Sequence, residues 1–301
     1  MSLLLIVLPV FIVFTVGYIG QKTLHFNIKT ISTMTLYLMS PLLAFRTFYA
    51  TPITVNYAYI FIFAILLCFF LWLITAIFLP LFSVSRSERS GVMLGTVFMN
   101  SGNYGAPVAL FAFGAAGFHT AVMIMVIHSL FMNSLGIYIA SIGSKQKYSS
   151  KVAIQKAIKM PVLHGAILGI LLQLLHVPIH ESIMNGIDLI ADASIPVVML
   201  VLGMQLATIV RKKVRWSLMY FTTFVRMIIS PLLAATILYF IPLSNDIKAV
   251  LILQSAMPAA ANTTMLALQF DTEPDLVSIS TLVTTILSLI SIPVVLYFLG
   301  V

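Results

Sequence analysis

Apolar residues run through this chain in blocks of about 20, the length at which a helix crosses the hydrocarbon of a bilayer. The blocks fall near 2–20, 30–50, 57–80, 90–113 and 118–140, then near 160–177, 183–209, 216–241, 247–270 and 276–299. Short polar gaps separate them. One longer gap, 141–159, carries Lys145, Lys147, Lys151, Lys156 and Lys159. The pattern predicts an all-α membrane protein of ten spans, five on each side of that gap.

Composition agrees. Of 301 residues, 61% are hydrophobic and 8% charged, and the mean hydropathy is +1.11. A soluble domain carries about 25% charged residues, so the lipid bilayer is the expected solvent. The net charge of +8 does not point to nucleic acid, because the basic residues are spread over the gaps rather than gathered on one polar domain. They fix orientation instead. With the N-terminus outside, Lys22, Lys29, Arg86, Arg89, the five gap lysines, Arg211, Lys212, Lys213 and Arg215 all lie on the cytoplasmic side, thirteen of the sixteen Lys and Arg residues. The reverse orientation would put them all outside. The acidic loop Asp271 to Asp275 also falls inside, but acidic residues weigh little in this rule. Both termini are then outside, and the compact length suits a bacterial cytoplasmic (inner) membrane. The first 20 residues lack a basic n-region and a cleavage site, so they read as the first span. The single cysteine, Cys68, lies in an apolar block and reads as packing.

The two halves echo one another. Five spans per half force them into opposite orientations, so the chain reads as two inverted five-helix repeats, 1–140 and 160–301, joined by a cytoplasmic linker at 141–159. Met39-Ser40-Pro41 in the second span corresponds to Ser194-Ile195-Pro196 in the seventh, and Leu79-Pro80 to Ile241-Pro242. Gly91 to Met99 aligns without gaps on Ala249 to Met257.

Both fourth spans of the repeats break at depth. The run Asn100-Ser101-Gly102-Asn103-Tyr104-Gly105-Ala106-Pro107 puts two glycines and a proline where a continuous helix is expensive, about 1 kcal/mol per glycine and about 3 kcal/mol per proline. The ninth span repeats the theme with Gln254-Ser255-Ala256-Met257-Pro258, then Asn262-Thr263-Thr264. Backbone released in hydrocarbon must face protein or a cavity. Paired breaks in inverted halves mark a transporter binding site. Two helix N-termini meeting there can hold a carboxylate, with Asn103, Asn262, Thr263 and Thr264 as side-chain donors. The expected substrate contacts are therefore Asn100, Ser101, Asn103, Tyr104, Gly105, Pro107, Gln254, Pro258, Asn262, Thr263 and Thr264.

Ionisable groups within spans each need an account. Arg226 lies near mid-span, with Asp192 at comparable depth and Asp188 one turn outward. Arg226 is expected either to pair with Asp192 or to meet the substrate carboxylate. Asp192 and Asp188 are the candidates for coupling to a proton or sodium ion. Arg46 reads as snorkelling to the outer interface. His128 and His164 read as packing residues that are also able to relay a proton.

No enzyme is expected. There is no His-Glu-x-x-His pair, no Gly-x-Ser-x-Gly elbow, no glycine-rich phosphate loop and no metal-ligand spacing. No loop is long enough for a nucleotide-binding part, and no cofactor is expected.

The run from Gln254 to Gly300, with Ala256-Met257-Pro258-Ala259, Pro274, Thr284-Thr285 and Pro293, resembles the auxin efflux carrier family, and Asn100 to Leu110 is similar to its broken fourth helix. The resemblance covers essentially the whole chain. It implies a scaffold of 1–50 and 160–210, a transport core of 57–140 and 216–300, and fourth and ninth helices that cross at their breaks, as in sodium/proton antiporter and bile-acid symporter folds. It also implies an elevator-like movement of core against scaffold, and a homodimer through the scaffold. Bacterial members carry malonate, malate and other small carboxylates. The short gap and Thr263, where a plant carrier has proline, make auxin a poor cargo. The expectation is a secondary transporter of a small organic anion. The competing readings are an exporter of amino acids or amphipathic metabolites, and a transporter-like membrane sensor.

Overall fold

The computed structural model describes residues 3–144, 160–209 and 214–301, and every regular element among them is helical. In chain order these are α1 (Leu3–Leu24), α2 (Ile28–Ala50), α3 (Val55–Phe82), α4 (Arg86–Val97), α5 (Ser101–Gly143), α6 (Pro161–Leu174), α7 (Glu181–Ala207), α8 (Trp216–Tyr239), α9 (Asn245–Ser255), α10 (Ala261–Phe270) and α11 (Pro274–Leu299). The gap lysines Lys145, Lys147, Lys151, Lys156 and Lys159, with Arg211, Lys212 and Lys213, lie outside the described residues.

Helix boundaries follow local chemistry. Asn27 and Thr54 cap α2 and α3 with their side-chain oxygens, and Ser85 with Glu88 forms a reciprocal capping box on α4. Gly300 closes α11 at φ +76°. Gly114 divides α5 into two helices at φ +65° and ψ −160°, a backbone open to glycine and strained for other residues.

Among the described residues seven helices are long and apolar enough to cross a membrane: α1, α2, α3, α5, α7, α8 and α11. The sequence pattern expects ten spans, and the difference has a physical cause. The fourth and ninth blocks are cut by non-helical residues into shorter pieces, α5 runs on through Gly114, and α6 is only 14 residues long.

Three of these helices widen into a π-turn two residues ahead of a proline. Thr35–Met39 precedes Pro41, Ser101–Gly105 precedes Pro107, and Val225–Ile229 precedes Pro231. Proline lacks an N–H and clashes with the carbonyl one turn back, so the wider turn lets the helix continue.

Helices in lipid gain no hydrophobic drive from pairing, so close backbone approach holds them together. On α6, Gly165 meets the Pro41 carbonyl of α2, and Gly169 would place a Cβ 2.6 Å from the Phe45 carbonyl. The α1–α7 contact is reciprocal: Gly17 faces the Leu200 carbonyl and Gly203 the Phe14 carbonyl. The obstacle at each position is backbone, so a larger residue must push the helices apart.

At one end of the molecule Arg215 bonds to Glu88 at 3.3 Å and to the Phe82 and Ser83 carbonyls. Gly143 packs there on Ser90 and Thr272, and Gly91 on Glu273. The basic residues Arg86, Arg89 and Arg215 therefore share an end. At the other end of α3, the Gln173 amide ties α6 to the Phe48, Tyr49 and Thr51 carbonyls of α2 and its exit.

Candidate functional site

The site is built by two breaks. The first helix to break, α4, stops at Val97, and Phe98 follows in extended backbone at φ −102° and ψ 118°. The second, α9, stops at Ser255, and Pro258 has no N–H to carry a helix on. The two interrupted segments meet as an isolated antiparallel bridge, Met99 opposite Ala259. Asn100 N donates to the Pro258 carbonyl at 2.8 Å and Ala260 N to the Phe98 carbonyl at 3.0 Å. Ala259 N donates to Thr284 Oγ1 of α11 at 3.2 Å. The N–H groups of Asn100 and Ala260 are thus satisfied by the other break and that of Ala259 by α11, as an apolar interior requires.

From this junction two helices start, α5 at Ser101 and α10 at Ala261, and neither has a side-chain cap. The first N–H groups of a helix lack intrahelical partners and carry the positive end of its dipole. The opposite ends are handled by Arg226 of α8. Its Nη1 donates to the Thr96 carbonyl of α4 at 2.9 Å, and its Nη2 to Ser230 Oγ and to the Ser255 carbonyl of α9. Ser230 Oγ reinforces the second contact, donating to Ser255 O at 2.8 Å. One guanidinium therefore holds the negative ends of both broken helices.

A cavity of about 60 Å³ lies at the junction, lined by Asn100, Ser101, Gly102, Asn103 and Asn262 with Met99, Ala260, Ser40, Met125, His128, Ser129 and Met132, among others. Asn100 is buried and its Nδ2 has no partner, while Asn262 is exposed. Of the expected contacts, Asn100, Ser101, Asn103 and Asn262 are brought together here.

The others lie around the cavity rather than on its wall. Tyr104 points toward α1 and α11, its ring against Phe11 and Phe14 and its hydroxyl 2.8 Å from Ser288 Oγ. Gly105 lies against the Gln254 amide, and Gln254 is fully buried with both polar atoms unpartnered. Pro107 is buried just after the π-turn Ser101–Gly105, which lets the helix continue past its missing N–H. Pro258 serves the junction through its carbonyl. Thr263 turns its hydroxyl back to the Ala260 carbonyl at 2.6 Å, and Thr264 is half-buried beside it.

The expected pairing of Arg226 with Asp192 is corrected. Asp192 binds Arg46 at 2.5 Å, with Asp188 at 3.5 Å from the same nitrogen. Arg46, read as a snorkelling side chain, is the partner of both carboxylates. The carboxylates are 69% and 41% exposed, so α2 and α7 share a peripheral ion pair, away from the cavity. Arg226 can dispense with a carboxylate because carbonyls at two helix ends oppose its charge.

Two residues were underrated by sequence reasoning. Thr284 entered only as part of a motif, yet it receives the Ala259 N–H. His128 read as packing, yet it lines the cavity; its signal was an ionisable side chain inside an apolar span.

The chain matches the membrane transport protein family over residues 3–296. An uncharacterized transporter of Methanothermobacter thermautotrophicus is 31% identical over 206 residues, which is 67% of this chain and 66% of that protein. An uncharacterized transporter of Methanocaldococcus jannaschii is 28% identical over 218 residues, covering 70% of this chain and 69% of that protein. The matched segment thus spans about two thirds of those relatives' own lengths. With seven apolar helices of spanning length, the chain is a multi-pass membrane protein and belongs to the membrane transport protein family, the family of the auxin efflux carriers.

Proposed function

We propose that this protein carries a small organic anion, a mono- or dicarboxylate such as malonate or malate, across the cytoplasmic membrane by alternating access. The observation that carries this reading is the cavity between two uncapped helix N-termini, into which the buried and unpartnered Asn100 Nδ2 is available to donate. Backbone N–H groups, amide donors and the positive ends of two dipoles suit a carboxylate. Proximity of Arg226 adds a positive field, while its Nη1 and Nη2 donate to the Thr96 and Ser255 carbonyls and the Ser230 hydroxyl.

The chain is read as ten spans in two inverted repeats, with α4–α5 crossing α9–α10 at the bridge. The scaffold comprises α1, α2, α6 and α7, which make the closest backbone contacts, and the remaining helices form an elevator-like core. A cavity of about 60 Å³ holds roughly two waters. A dicarboxylate therefore requires the junction to widen. A homodimer through the scaffold is proposed as the resemblance implies it, and both termini are placed outside as the distribution of basic residues implies.

The test is counterflow in liposomes. Purified protein facing a saturating internal pool of unlabelled malonate is expected to take up labelled malonate saturably, with malate competing and a neutral amino acid failing to compete. Uptake driven by amino acids but by no carboxylate would replace the anion reading with the exporter reading.

A further inference from the structure

We propose that His128 is the proton-coupling site of this carrier, gaining a proton as the anion enters the junction cavity and losing it on the opposite side. The inference rests on the carboxylate reading above and extends it from what is bound to what drives the movement.

The geometry singles out His128. Among the described residues it is the one ionisable side chain on the cavity wall, on the second helix of α5, and it shares that wall with Asn100 and Asn262. The other wall-forming elements contribute Leu36 and Ser40 from α2, Val162 ahead of the α6 interior, and Ala260 and Asn262 at α10, none of which titrates. From the extended segment after α4, the Phe98 ring meets the imidazole edge-on at 6.0 Å between centroids. On the far side α3 presents the Cys68 thiol, with Sγ 3.6 Å from Nε2. The charge acting on the ring is that of Arg226 on α8. No carboxylate lies on the cavity wall, and Asp188 and Asp192 are engaged with Arg46.

Charge balance then dictates coupling. A neutral imidazole has one N–H and one lone pair, and it can take a proton at the nitrogen bearing the lone pair. A bare imidazolium would share the interior with Arg226, and a bare anion would lose its water; each alone is expensive. Together they offset one another, so proton and anion favour each other's entry. The proton comes from the water on the side to which the cavity is open and leaves to water on the other. On entry an N–H bond forms as an O–H bond of hydronium breaks, and on the other side the N–H bond breaks as water takes the proton; no other bond changes.

The test uses liposomes with the membrane potential clamped at zero and labelled malonate as probe. Wild type is expected to accumulate malonate up to about tenfold under a gradient of about one pH unit. His128→Gln is expected to exchange malonate at a reduced rate without accumulating it. Accumulation by His128→Gln equal to wild type would overturn the assignment. Wild type that exchanges malonate but ignores the pH gradient would overturn proton coupling and leave the carboxylate reading standing. Wild type that exchanges no carboxylate would remove that reading and the proton site with it. Should the variant fail to fold, a pH dye inside wild-type liposomes decides: internal acidification on malonate addition supports the proposal, and its absence rejects it.

Discussion

Arg226→Ala is expected to abolish malonate exchange and to destabilise the protein by about 3 kcal/mol or more, because two buried helix-end carbonyls lose a charged donor. The side chain is fully buried and joins α8 to the ends of both broken helices, Thr96 on α4 and Ser255 on α9. Alanine leaves the buried Thr96 carbonyl to find a new partner and the Ser255 carbonyl with the Ser230 hydroxyl alone. Arg226→Lys keeps the charge but offers one compact ammonium in place of a planar fork, so it should satisfy one helix end and give an intermediate loss. Thermal unfolding in detergent, followed by exchange in liposomes, checks both. An alanine variant that melts and transports like wild type would show that the breaks need no bridging cation.

Gln254→Met is expected to move stability and transport in opposite directions. Gln254 is fully buried at the end of α9, its amide lies against Gly105, and neither Oε1 nor Nε2 has a partner. An unsatisfied buried polar group costs about 1–3 kcal/mol, and methionine fills a similar volume without that cost. The unfolding midpoint should therefore rise. Retention of such a group next to the site makes sense if its amide finds a partner at another stage of the cycle. Loss of that bond, worth about 1.4 kcal/mol, would slow exchange about tenfold. A variant that is more stable and equally active would reduce Gln254 to packing.

Much of this was legible in the sequence because lipid simplifies the problem. Apolar block length reports helices directly, and Gly-Pro-Asn clusters at depth have few tolerable structures, so the breaks near Asn100 and Pro258 could be located from residue types alone. The partnership of side chains was less legible. Arg226 and Asp192 lie at similar depth in sequence, but depth does not fix the azimuth of a helix. The structure turns Asp192 to Arg46 and Arg226 to carbonyl ends that no residue pattern records. Thr263 and Thr264 looked like donors by type, yet a threonine in a first helical turn readily bonds back to its own backbone, as Thr263 does to Ala260. His128 was missed as a cavity residue because its wall neighbours Asn100, Met125 and Asn262 come from both halves of the chain.

The account stands on an anion being held between the two breaks, and equilibrium binding of labelled malonate to purified protein measures that most directly. Wild type should bind saturably, and Asn100→Ala and Asn262→Ala should each bind about tenfold more weakly, as loss of one hydrogen bond to a charged group implies. Both variants folded, with wild-type affinity for malonate, would place the anion somewhere other than the junction and contradict the account.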